Sequence, residues 1–116
     1  MGKKYAATYR SYPNSLADLK LELKENLRFE YYMIILPEPE TDGQIDTLFF
    51  KGKWKTEYQN YVLRFQRRKR PDLHALLDSE YNPKTSIMIL DSRHISFPLN
   101  AKEISIWGVL CYRMEE

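Results

Sequence analysis

Five cations fall within seven residues at Arg64-Phe65-Gln66-Arg67-Arg68-Lys69-Arg70. Cations at this density make a strong local positive potential, which attracts phosphate and carboxylate groups. Arginine adds a planar donor fork that grips such anions through two parallel bonds. If Arg64 points outward from a strand, it extends the patch of the following loop along a sheet. An exposed Tyr or Phe beside it would then stack on bases, as on single-strand-binding barrels. The stretch therefore predicts a nucleic-acid or acidic-protein contact through Arg64, Arg67, Arg68, Lys69 and Arg70. The competing expectation is a solvated loop whose charges keep an apolar sheet from aggregating, with Pro71 stopping the strand.

Other groups with chemical potential are scattered. His74 and His94 stand alone, and a catalytic histidine needs a nucleophile and an orienting partner near it in space. Asp91 lies three residues before His94. A small enzyme would use Glu30 or Asp91 with His94, and the pair would have to converge in a cleft. The histidines lack zinc spacing. Glu38, Glu40, Asp42 and Asp46 would attract a hard cation, but they lack the spacing and turn glycine of a calcium loop and read as a solvated loop. The phosphate-cradling and nucleophile-elbow motifs are absent. The single cysteine, Cys111, excludes an intrachain disulfide and reads as a buried structural thiol. No catalytic residue, metal or cofactor is expected, and binding is favoured over enzymatic function.

The elements that must position these groups are strands. The 116 residues form one domain, 1–116, with 43% hydrophobic residues and 14% aromatics, enough for one core. The net charge of +2 is too small to imply nucleic acid by itself. Apolar and polar residues alternate with period two through most of the chain, the pattern of half-buried strands. Residues 5–12 read as a first strand. Segment 15–27 fits either a helix, through Leu16, Leu19, Leu23 and Leu27, or a strand, through Leu19, Leu21 and Leu23; the strand is preferred. Residues 37–44 are a loop. Gly52 interrupts a strand pattern and predicts a bulge or sharp bend. Gln59-Asn60 reads as a turn. Segment 72–80 is open between strand and one short helix. Ile104 to Tyr112 reads as one central strand covered on both faces. The fold expected is all-β: a small antiparallel up-and-down barrel or closed sandwich of about eight strands, with room for that one short helix.

Gly52-Lys53-Trp54, followed by Tyr61-Val62-Leu63-Arg64-Phe65, resembles the Gly-x-Trp, turn and alternating strand of short bacterial lipocalin-like proteins. Thr8 to Ser11, Leu19 to Leu23 and Asn26 to Tyr31 are similar to their opening meander, and Ile106 to Arg113 to their closing strand. The resemblance implies a β-barrel that binds an apolar small molecule or docks in a cell-envelope assembly. Trp54, Tyr31, Phe65 and Trp107 are the aromatics expected to pack such a barrel or touch its ligand, with Arg113 stacking on Trp54. The leading expectation is a non-enzymatic binding or protein-interaction module for an apolar small molecule or a protein partner. The alternative is a nucleic-acid-binding barrel using 64–70. An exposed aromatic face would also suit a homodimer. No stretch approaches ~18 apolar residues, so no membrane span is expected. A cytoplasmic location is expected for the chain as it stands, and a cell-envelope one if a leader preceded it.

Overall fold

Among the described residues the period-two pattern resolves into nine strands: β1 (Ala7–Ser11), β2 (Ala17–Leu23), β3 (Arg28–Ile35), β4 (Asp46–Glu57), β5 (Asn60–Phe65), β6 (Met88–Ile89), β7 (His94–Pro98), β8 (Glu103–Ile106) and β9 (Val109–Arg113). The computed structural model describes residues 5–14, 16–36, 46–73 and 87–114, without the side chain of Asp46. The expectations placed on Glu38, Glu40, Asp42, His74 and segment 74–80 lie outside the described residues. Segment 15–27 contains a strand, β2, because its leucines alternate: Leu19, Leu21 and Leu23 are buried, and Asp18, Lys20 and Glu22 are not. A helix would have wrapped these charges around its circumference.

All pairings are antiparallel, and the order across the sheet is β6-β7-β5-β4-β3-β2-β1-β9-β8. The connection between β7 and β8 shows that this sheet is curled. The two strands stand seven places apart, roughly 34 Å in a flat sheet. Residues 99–102 join them, and a chain of that length reaches only about 17 Å. The sheet therefore rolls into a half-barrel that brings its two ends together. Side chains tie across the gap. Tyr9 on β1 donates its phenol proton to the carbonyl of Ala101 at 2.7 Å, and its ring meets Phe97 of β7 edge-on at 5.6 Å. Tyr61 of β5 donates to the carbonyl of Tyr5 at 2.6 Å. β6 and β8 do not pair with each other among the described residues, so curling rather than hydrogen-bonded closure shields the apolar face.

That concave face is filled. Tyr9, Tyr31, Tyr61, Phe29 and Phe97 are almost wholly buried there, with Leu19, Leu23, Met33, Leu63 and Ile104 between them. Cys111 is buried among them, and burial pushes its thiol up to about 12.

Three local expectations need correction. Ile104 to Tyr112 is a hairpin rather than one central strand, and β8 is an edge. Trp107 and Gly108 both have positive φ, 54° and 75°, and reverse the chain between the facing residues Ile106 and Val109. This is the backbone signature of a type I′ turn, disguised by tryptophan in the first central position. The β4–β5 turn falls on Tyr58 and Gln59, one residue earlier than expected, again with positive φ at both. Arg113 does not stack on Trp54. Its guanidinium lies 6.0 Å from the centre of the Tyr61 ring and donates to the carbonyl of Leu99 at 2.8 Å. Tyr61 stands between the two, meeting Trp54 edge-on at 5.7 Å.

Candidate functional site

Strand alternation divides each side-chain set between the filled concave face and the opposite, outer face. On β3, Phe29, Tyr31 and Met33 go inward, while Arg28, Glu30 and Tyr32 go outward. On β4, buried Trp54 fixes the parity, which puts Phe49, Lys51, Lys53 and Lys55 outward. On β5, Arg64 is exposed between buried Leu63 and Phe65.

Register then decides which of these outward groups meet. Arg28 stands opposite Lys53, Lys53 opposite Arg64, and Arg64 opposite His94. Four adjacent strands thus carry two arginines, a lysine and an imidazole in one line across the sheet. Its length is about 15 Å at the usual strand spacing. Arg28, Lys53 and Arg64 are exposed, and none of them has an ion-pair partner among the described residues. Like charges directly opposite each other destabilise a sheet, so folding gains nothing from this row.

Gly52 makes the row possible. It lies between Phe29 and Phe65 in register, and those rings meet edge-on at 5.0 Å. A Cβ at Gly52 would overlap the carbonyl oxygen of Arg64 and approach Phe29 Cε2 to 2.6 Å. The missing side chain lets β4 press against β5 where Lys53 and Arg64 face each other. The expected bulge is not what this glycine provides, because the pairing runs in unbroken register through it. Close backbone approach explains the glycine instead.

Arg28, Lys53 and Arg64 form one side of a groove of about 590 Å3; among the described residues that line it, eight are Lys or Arg and one, Glu30, is acidic. Arg67 and Arg68 enter it from the loop after β5, Arg93 from the turn before β7, and Lys24 from the β2–β3 turn. Arg93 is fixed by bonds to the backbone of Phe65. The amide of Phe65 donates to the carbonyl of Arg93 at 2.8 Å, and Arg93 Nε donates back to the carbonyl of Phe65 at 3.2 Å. Asp91 holds the turn: one carboxylate oxygen accepts from the amides of Arg93 and His94, at 2.8 and 2.9 Å, and lies 2.7 Å from His94 Nδ1. Those donors, the Arg93 amide first, hold the Asp91 carboxyl below its ordinary range. Glu30 is ion-paired with Lys24, which lowers its pKa and raises that of the lysine. The Glu30 carboxylate is therefore already paired.

Of the sequence-predicted contacts, Arg64, Arg67 and Arg68 come together in this groove, and Lys69 and Arg70 do not line it. Lys69 has positive φ, 55°, and Arg70 folds back to donate to the carbonyl of Arg67 at 3.2 Å. Lys24, Arg28, Lys51, Lys53 and Arg93 were not anticipated. Lys53 lay in plain view as the middle residue of Gly52-Lys53-Trp54, and alternation alone marks it as outward. Of the four aromatics singled out, Trp54, Tyr31 and Phe65 are buried packing residues. Trp54 donates its indole proton to the carbonyl of Lys24 at 2.9 Å, pinning the β2–β3 turn beside the groove. Trp107 is half-buried at the tip of the β8–β9 hairpin.

Glu30 and His94 do not converge, since they stand three strands apart, roughly 14 Å at normal spacing. Asp91 and His94 do meet, beside a second cleft of about 460 Å3 lined by Lys53, Lys55, Glu57 and Arg64. No serine, threonine or cysteine is among the described lining residues there. The pair functions as a turn clasp in this arrangement. No group of three or more His, Cys, Asp and Glu is placed to hold a metal ion among the described residues. No helix among them is long and apolar enough to cross a membrane.

The lipocalin-like resemblance rests on the Gly-x-Trp triplet and the strand rhythm alone. Comparison with protein-family models, curated proteins and solved structures gives no match to this chain.

Proposed function

We propose that this chain is a non-enzymatic binding module whose outer sheet face takes a nucleic acid by its phosphates. The observation that carries this reading is the row Arg28–Lys53–Arg64: three exposed, directly opposed cations without an acidic partner among the described residues. Their mutual repulsion costs stability and is relieved when an anion lies across them. Arg67, Arg68 and Arg93 widen the same field into a groove. The filled concave face supports binding on the outside rather than capture of an apolar small molecule within.

The test is affinity for a short oligonucleotide as a function of salt. Each phosphate contact to a single strand adds about −0.7 to the slope of log K against log salt. Replacing Arg28, Lys53 and Arg64 together by Ala is expected to make that slope shallower by about 2. Binding that ignores salt, or a triple variant that binds like the parent, overturns the reading.

A protein partner is a second reading, favoured by a different surface. Tyr12, Leu16 and Leu110 are exposed and line an apolar cleft of about 370 Å3 beside Val109. Such a partner would be lost on Leu16→Asp with Leu110→Asp and would be indifferent to the cationic row.

A further inference from the structure

We propose that Phe49 and Tyr32 are a base-stacking platform, so that the ligand of the cationic row is a single strand rather than a duplex; this inference rests on the nucleic-acid reading above. The two rings lie directly opposite each other on β3 and β4, with centroids 4.8 Å apart and planes tilted by 31°. Phe49 is 38% exposed. Tyr32 belongs to the outer face, since its neighbours Tyr31 and Met33 are buried inward, and Phe49, opposite it in register, shares that face. At that distance and tilt the rings overlap face to face, and they stand as one stacked pair on the face that carries the cations, with Phe49 the more exposed ring.

The spacing fits one strand of nucleic acid. Along β4, Lys51 is two residues from Phe49 and Lys53 four, about 7 and 13 Å away. On the other flank Lys20 stands opposite Tyr32. Bases stacked on the rings would leave their backbone over Lys51 and the row beyond it. Glu30 lies between the platform and Arg28 on the same strand face, and Lys24 neutralises it. The phenol of Tyr32 reaches Glu30 at 3.4 Å, which ties the ring to that ion pair. Paired bases in a duplex are stacked on one another and offer no open ring face, whereas single-stranded bases do. The same two rings would also steady the sheet as a cross-strand pair, and that role predicts no ligand preference.

The experiment uses the full chain and a fluorescein-labelled oligothymidylate, with inorganic polyphosphate and a labelled duplex as comparison ligands. Single strands are expected to bind more tightly than the duplex. Phe49→Ala is expected to weaken oligothymidylate about tenfold while leaving polyphosphate affinity unchanged. Phe49→Trp is expected to restore binding, with its fluorescence quenched by the bases. Circular dichroism checks that Phe49→Ala is folded. Equal loss for both ligands, or no loss for either, overturns the platform. Tighter binding of the duplex does the same. Polyphosphate bound as tightly as oligothymidylate overturns stacking and leaves the cationic row standing. Failure of the parent chain to bind either ligand at low salt overturns both proposals.

Discussion

Gly52 sits so close to Arg64 that a single added methyl group would overlap the Arg64 carbonyl oxygen. The obstacle is backbone, held by the β4–β5 ladder on both sides, and Phe29 closes the remaining space. Gly52→Ala is therefore expected to destabilise the protein by about 3 kcal/mol, through overpacking that cannot relax. Urea denaturation measures it; a loss below about 1 kcal/mol would show that the strands separate easily.

Lys53 lies between Arg28 and Arg64, and its removal separates stability from binding. Lys53→Glu turns two like-charge oppositions into two attractive ones, each worth about 0.2–1 kcal/mol. The variant is expected to melt later than the parent and to lose oligonucleotide affinity. A variant that is both less stable and binding-deficient would show that Lys53 supports the fold.

The Tyr31 hydroxyl is buried and has no hydrogen-bond partner among the described residues, and burial drives its pKa well upward. A buried polar group without a partner costs stability, which its deletion recovers. Tyr31→Phe keeps the ring packed beside Phe50, at 6.2 Å between centroids, and is expected to be neutral or stabilising by about 1 kcal/mol. Chemical denaturation decides it; a loss above about 1 kcal/mol would reveal a partner for that hydroxyl.

Stability is expected to fall in alkali. Burial raises Cys111 from 9.0 to about 12 and Tyr9 from 10.0 to about 12, and in Tyr9 the nearby Arg113 opposes part of the rise. Both groups are neutral when protonated, and the folded state holds those protons more tightly. Below pH 9 both states keep them and stability is flat. Above it the unfolded chain ionises first, and the folded state's advantage drains away as pH climbs through 12. Urea midpoints across this range should decline, and Cys111→Ala should remove the part of the decline that begins near pH 9. A flat profile from 9 to 12 would mean that neither group is shielded as the packing implies.

The strands were legible because alternation is a local signal. Leu19-Lys20-Leu21-Glu22-Leu23 states its own inward and outward faces, and the structure follows them. The same rule applied to Lys51-Gly52-Lys53-Trp54 places both lysines outward, opposite in face to the buried Trp54. The hairpin at Trp107-Gly108 was missed because a tryptophan with positive φ carries no turn signature in sequence, so two strands read as one.

The sequence by itself determined an all-β chain, its inward and outward residues and a cationic run at 64–70, since each follows from residue type and nearest neighbours. Only the tertiary structure decided that Arg28, Lys53 and Arg64, far apart in the chain, stand in one line. It also decided that Lys69 and Arg70 fall outside the groove and that Phe49 meets Tyr32. The physical reason is register: alternation marks the face of most strand residues, but hairpin turns and the packing of one buried face fix which residues lie opposite.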